Sequence, residues 1–276
     1  MDDYIIAVVL GVVEGVTEYI PVSSTGHMIL VGDMLGFNGP RAGVFEVFIQ
    51  LGAILSVLVI YKEKFIRMAR QYRCWNLLRR ENWFRKDTGL TLAHVAAGIV
   101  PVMGIGYFAH HAIKTYLFST STVIIGLIIG ALFMLAAEKA RMRVVCDDVE
   151  KMTIMQAFLI GAFQICALWP GFSRSGSTIA GGLFLGVSRK AAADFSFIIA
   201  VPVMFVACIY DLLKSLSYLN GNDLVMIAIG FVVAFVVAYI SVLWFLKFLN
   251  KSTLASFAYY RFLVAAVSFA YFFILK

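Results

Sequence analysis

Six apolar stretches govern what this chain can fold into, at residues 44–61, 89–110, 121–137, 191–213, 224–246 and 254–275. Each is near the roughly 20 residues of α-helix that cross a bilayer core. The chain is 62% hydrophobic and 14% charged, where a soluble domain is about half apolar and a quarter charged. No soluble fold could hide that much apolar surface. The reading is all-α: a polytopic membrane helical bundle in which every backbone group is satisfied within its own helix. It forms a single integral membrane domain over residues 1–276.

The net charge of +7 does not point to nucleic acid, because no binding module accompanies it. The basic residues lie between the spans. Lys62–Asp87 holds nine Lys or Arg against three Asp or Glu, which puts this loop in the cytoplasm. Glu138–Lys151, with four of each sign, is cytoplasmic by counting spans, as are Arg189, Lys190, Lys247 and Lys251. Both termini are then outside. Trp75 and Trp83 are expected at the interface, and Arg261, after Tyr259 and Tyr260, is expected to be an interfacial anchor. Cys74, Cys146, Cys166 and Cys208 fit neither a zinc pattern nor a disulfide framework. The start, with Asp2 and Asp3, does not read as a cleavable signal peptide.

Two polar stretches stand out. Glu14 to His27 reads EGVTEYIPVSSTGH inside the apolar run 4–31, which breaks at Pro21. Residues 153–187 repeat this pattern and break at Pro170-Gly171, within PGFSRSG. Polar, broken backbone at membrane depth is tolerated only where protein or a wet cavity covers it, so both segments read as re-entrant hairpins. Gly36 to Gly43 reads as a turn.

A shift of 150 residues superposes the two segments without gaps. Ser23/Ser173 and Gly26/Gly176 align both Ser-x-x-Gly turns, with Gly11/Gly161 upstream and Phe45/Phe195 downstream, and Glu14 meets Gln164. The repeat units are about 1–137 and 151–276. Three spans separate the equivalent hairpins, and an odd number inverts the second. Inverted repeats with broken helices place a polar site near the bilayer midplane, and helix N-termini at such breaks favour anions.

Glu14 and Glu18 share one helix face. Buried in a membrane, they call for a cation, a metal ion or a wet pocket, or else form a structural ion pair. Ser23, Ser24 and Thr25 suit an N-cap for the helix starting near Gly26. His27, one turn after Ser24, is a candidate base or acid. Arg174 between Ser173 and Ser175 suits bidentate phosphate binding, or serves as a counter-ion to Glu14 or Glu18. The loop lacks the lysine and spacing of a nucleotide-binding phosphate loop. Glu46 and Gln50 share a face that would extend the pocket or bond to neighbouring helices. His94, His110 and His111 read as structural or interfacial. The set favours a phosphorylated, lipid-linked ligand.

EGVTEYIPVSSTGH and LWPGFSRSGSTIAGG at 168–182 closely resemble the two motifs of the undecaprenyl-diphosphate phosphatase family of the bacitracin-resistance type. The resemblance runs over nearly the whole chain, including FEVFIQLGAI at 45–54 and FSFIIAVPVM at 195–204. It implies an integral membrane hydrolase that converts undecaprenyl diphosphate to the monophosphate, recycling the lipid carrier of cell-wall synthesis. Its site would face the periplasmic side of the inner membrane. Bacitracin would compete by binding the substrate. A divalent cation, Mg2+ or Ca2+, is implied, with Glu14 and Glu18 as its ligands. Ser24 would be the nucleophile, Ser23 and Thr25 hydroxyl partners, His27 an alternative nucleophile or acid/base, and Arg174 the phosphate clamp with Ser173. Self-association into a homo-oligomer is compatible with this reading. The nucleophile is left open between Ser24, His27 and water. A polyprenyl phosphate transporter or flippase is the rival, since inverted repeats with broken helices are transporter architecture.

Overall fold

The computed structural model describes residues 2–70, 83–84, 89–117, 119–140, 142–215 and 223–275. Trp75, Cys74 and most of the basic stretch before residue 89 lie outside the described residues. Among the described residues there is no β-strand, only an isolated bridge between Cys146 and Val187.

The chain opens with two short helices, α1 (Asp3–Thr17) and α2 (Ser24–Met34). The helix α3 (Pro40–Ile60) follows and leads into the short, basic α4 (Lys62–Arg70). Two long helices come next, α5 (Leu92–Tyr116) and α6 (Thr120–Ala140). A second short pair, α7 (Ile154–Gln164) and α8 (Arg174–Phe184), is joined through a 3-10 turn, Ile165–Leu168. Three more helices close the chain, α9 (Arg189–Ser215), α10 (Asp223–Leu249) and α11 (Ala255–Ala270). Six helical stretches, carried by α3, α5, α6, α9, α10 and α11, are long and apolar enough to cross a membrane. The protein is a multi-pass membrane protein. At 11 residues, α2, α7 and α8 are each about 16 Å long, half of a bilayer core.

Two expectations are corrected. The turn assigned to Gly36–Gly43 ends early, because α3 starts at Pro40, whose fixed φ and missing N–H suit a first helical position. Arg261 is not an interfacial anchor. Its side chain is fully buried, and Nη2 donates to the Gly126 carbonyl at 3.1 Å and the Gly171 carbonyl at 2.8 Å. Tyr259 and Tyr260 beside it remain exposed, so the aromatic pattern described its neighbours and not the arginine.

α1 packs along α10, α10 along α3, and α3 along α9. In the other half, α7 packs on α5 and on α8, while α8 rests on α6 and α9. Glycine permits the closest of these approaches. A Cβ at Gly11 would stand 2.8 Å from the Gly230 carbonyl, and one at Gly161 would collide with the Gly98 carbonyl. The central core gathers Tyr19, Phe195, Phe197 and Phe245, with the Tyr19 and Phe197 rings edge to face at 5.3 Å.

Charged contacts sort the helix ends into two groups. At one end, Arg41 on α3 bonds Asp3 on α1 at 2.7 Å and Asp223 on α10 at 2.8 Å. At the other, Glu138 on α6 accepts Arg189 of α9 at 2.7 Å and the Leu254 N–H before α11 at 2.8 Å. There too, Glu150 accepts Lys64 at 2.8 Å, Arg67 at 2.5 Å and the Leu90 N–H at 3.0 Å. Burial alone would raise the Glu150 carboxyl, but Lys64, the Leu90 N–H and Arg67 together hold it below its ordinary value. His94 is a fully buried cap, bonded to Thr91 and to the Met152 carbonyl, which matches its structural reading.

Candidate active site

The two short helical pairs bring their turns together. α1 ends at Thr17 and the chain turns through Pro21, with Ser23 capping α2. α7 tightens into its 3-10 turn and breaks at Pro170, with Ser173 capping α8. Both caps have positive φ, 71° at Ser23 and 76° at Ser173, and among the described residues they are the only non-glycines that do. Such a conformation costs roughly 1–2 kcal/mol and persists where the surroundings over-determine it. Part of the cost is offset by the caps themselves, as Gly26 N–H donates to Ser23 Oγ at 3.4 Å and Gly176 N–H to Ser173 Oγ at 3.2 Å.

A cavity of about 160 Å3 lies between the turns. The first helical pair lines it with Glu18, Ser23, Ser24 and Thr25, and the second with Ser173 and Arg174. Six of the eight residues singled out from the sequence therefore meet, from positions about 150 apart. The first turns of α2 and α8 both border the cavity, so two helix N-termini present free N–H groups and positive dipole ends to it.

Glu18 joins the halves. Ser24 Oγ donates to its Oε2 at 2.5 Å, and Arg174 Nη2 donates to its Oε1 at 3.1 Å. The ion pair is buried, with side chains 7% and 13% exposed. Arg174 is fixed on three further sides. Nη1 reaches the carbonyl and hydroxyl of Ser196 at 3.2 and 3.4 Å, Met204 Sδ lies 3.6 Å from Nη2, and the guanidinium sits 5.3 Å from the Tyr19 ring centroid. Its buried Nε has no protein partner. Thr178, one turn along α8, also bonds Ser196 Oγ, at 2.7 Å.

Glu14 and His27 are placed apart from the cavity lining. Glu14 is buried one turn before Glu18, and its Oε1 has no partner. His27 is buried behind the first turn with both nitrogens engaged. Nδ1 lies 2.8 Å from the Ser23 carbonyl, and Nε2 lies 2.9 Å from Tyr260 Oη. A carbonyl only accepts, so Nδ1 carries the proton, and in the neutral ring Nε2 accepts from the tyrosine.

Among the described residues no group of three or more His, Cys, Asp or Glu is arranged to hold a metal ion. Glu14 offers one unpartnered oxygen, and Glu18 would share or release its bonds to Ser24 or Arg174 to offer a second, so the pair fits a cation that takes most of its ligands from phosphate oxygens and water, the usual habit of Mg2+. They do not make a closed protein cage.

Gln50, expected to extend the pocket or bond to neighbouring helices, lines the cavity. Several other contributors were not singled out as site residues. Ser196 and Met204 lie within FSFIIAVPVM, and Met204 lines the cavity. That stretch was the available signal. Trp169 also lines it, its Nε1 donating to the Thr122 carbonyl at 2.9 Å. Tyr260 had no local signal, being 233 positions from His27.

Comparison with known proteins identifies the family of this chain. Residues 7–267 match the family model described as bacitracin resistance protein BacA. The chain is 46% identical over 265 residues to proteins named undecaprenyl-diphosphatase 1 from Bacillus cereus, Bacillus thuringiensis (strain Al Hakam) and Bacillus anthracis. Each match covers 96% of this chain and 97% of the relative. With both motif stretches inside the matched region, the chain belongs to the BacA bacitracin resistance protein family.

Proposed function

We propose that this protein is an integral membrane phosphatase that hydrolyses undecaprenyl diphosphate to undecaprenyl phosphate and inorganic phosphate. It would thereby recycle the lipid carrier of cell-wall synthesis and confer bacitracin resistance. The observation that carries the reading is the Ser24–Glu18–Arg174 chain of contacts across two hairpins. It joins a hydroxyl, a proton acceptor and a phosphate-binding cation at one cavity. The names of the relatives supply the substrate.

Arg174 and the N–H groups at the starts of α2 and α8 hold the diphosphate oxygens, since phosphoryl transfer is catalysed mainly by positioning and charge stabilisation. Ser24 Oγ attacks the terminal phosphorus while its proton passes to Glu18 Oε2. The bond from that phosphorus to the bridging oxygen breaks, and undecaprenyl phosphate leaves with that proton. Glu18 then takes a proton from water, which attacks phospho-Ser24. Inorganic phosphate departs and the proton returns to Ser24. Thr25, Ser23 and Ser173 border the phosphate. A divalent cation, Mg2+ or Ca2+, held by Glu14 and Glu18 would neutralise diphosphate charge. His27 orders the first turn and is not the attacking group in this scheme, because both its nitrogens are bonded elsewhere.

The α1–α2 and α7–α8 pairs are re-entrant hairpins of an inverted repeat within one domain. Support comes from their matched serine caps, from α1 packing on α10 as α7 packs on α5, and from Gly11 and Gly161 at those two contacts. The end holding Glu138 and Glu150 is cytoplasmic, and the end holding Arg41 is periplasmic. The substrate enters from the periplasmic side of the inner membrane with its tail among lipids, and bacitracin competes by binding it.

Purified protein in detergent should release phosphate from undecaprenyl diphosphate, with the rate falling on addition of a chelator. Binding without release from a folded protein, whichever cation is supplied, would favour the transporter reading instead.

A further inference from the structure

α11 supplies consecutive residues that each hold one of the two turns. Tyr260 Oη lies 2.9 Å from His27 Nε2, with the two rings nearly parallel, 9° apart at 5.6 Å. His27 Nδ1 in turn bonds the carbonyl of Ser23, the strained cap. Arg261 reaches the other way. Its Nη2 bridges the Gly171 carbonyl, two residues before the strained Ser173, and the Gly126 carbonyl of α6. Its Nη1 contacts Met134 Sδ at 3.5 Å, and no carboxylate pairs with it among the contacts described. A fully buried guanidinium bonded to backbone carbonyls is costly. It is unnecessary for packing α11 on α6, which apolar contacts at Ile124, Leu127, Val264 and Ala265 already provide.

We infer that Tyr260 and Arg261 are positioning residues that lock the Ser23 and Ser173 turns in register with each other, so that Ser24, Glu18 and Arg174 face one phosphate. The strained caps give the lock its purpose. A serine at positive φ relaxes unless its neighbours prevent it, and either relaxation would move one half of the site relative to the other. Neither residue lines the cavity, so neither touches the phosphate. This inference rests on the phosphatase reading for its kinetic consequence, though not for its structural one.

Two readouts separate those dependences. Hydrogen exchange in detergent is followed over both turns for wild type, Tyr260→Phe, Arg261→Gln and Arg261→Lys. Tyr260→Phe should speed exchange at residues 22–27, and Arg261→Gln at 171–177, each by about tenfold or more, with α5 unchanged. Arg261→Lys should recover part of the protection. In phosphate release from undecaprenyl diphosphate, both loss variants should lower kcat by about ten- to a hundredfold, the usual consequence of a misplaced group, with KM within about threefold of wild type. The double variant should lose little more than the worse single one, because residues that act as a unit are not additive. Exchange at both turns that matches wild type would overturn the lock, whatever the activity. So would activity that falls only in proportion to folded protein. Wild type that shows the exchange pattern but releases no phosphate would leave the lock standing and reject the phosphatase.

Discussion

Glu18 accepts the Ser24 hydroxyl through one carboxylate oxygen and the Arg174 guanidinium through the other. Glu18→Gln keeps the shape but replaces one acceptor oxygen with a donor, so it can no longer accept from both neighbours or take the Ser24 proton. Ser24→Ala should reduce phosphate release by at least about a thousandfold, with loss of a nucleophile reaching about a millionfold, and should abolish acid-stable phosphate trapped on the protein. Trapped phosphate on His27, or full activity without Ser24, would contradict the scheme. The strained cap gives a second prediction. Ser173→Gly removes the positive-φ penalty along with the cap, whereas Ser173→Ala removes the cap and keeps the penalty. The alanine variant should be less stable by about 1 kcal/mol, read as a lower melting temperature in the same detergent. At this scale the sequence was informative where residues are local. The hydroxyls after Pro21 and the arginine after Pro170 were legible because polar residues at membrane depth are costly. That Arg174 could pair with Glu14 or Glu18 was legible as well, and the structure selects Glu18; the choice between counter-ion and phosphate clamp was not, because both roles need the same residues. Arg261 was misread because burial does not show in a Tyr-Tyr-Arg run.

The two short helical pairs, α1–α2 and α7–α8, are held by backbone approach as much as by side chains. Gly161 lies against Gly98, where any side chain would force α7 off α5. Gly161→Leu should therefore lower the melting temperature and activity together, while the same change at Gly104, which faces open space, should leave both near wild type. The clasp at Glu150 is the place for a pH test. Its carboxyl is held below the ordinary value near 4.5, so the folded form gains stability above that value. The gain fades as pH falls through the lower folded value. Glu150→Gln should melt earlier than wild type at pH 7, by about 1 kcal/mol given partial screening. The gap should narrow as pH falls below 4.5 and close once pH has passed the lower folded value, since the stabilisation is lost there on protonation. A gap unchanged with pH would mean that the charge is not what Glu150 contributes. The helix periods and breaks were readable from apolar runs and prolines. The early start of α3 was hidden because Pro40 serves a turn or a first helical residue equally well.

Across the whole molecule, six long apolar helices alternate between an end tied by Arg41 and an end tied by Glu138 and Glu150. The six spans were legible from composition alone, since hydropathy and length suffice. How the spans pack was not, because lipid-facing and protein-facing apolar residues look alike in sequence. In a cysteine-free background, Ser119→Cys between α5 and α6 should react with an impermeant thiol reagent added outside intact cells. Met142→Cys after α6 should react only once the membrane is opened, and the reverse pattern would invert the proposed orientation. The central claim is that two hairpins, far apart in the chain, share one phosphate site through Glu18 and Arg174. The measurement that tests it most directly is phosphate release from undecaprenyl diphosphate by wild type, Glu18→Gln and Arg174→Ala, each normalised to folded protein. The account predicts rapid release by wild type and a loss of about a thousandfold or more in each variant. Release by either variant within about tenfold of wild type, a loss no larger than a general misplacement causes, would contradict it.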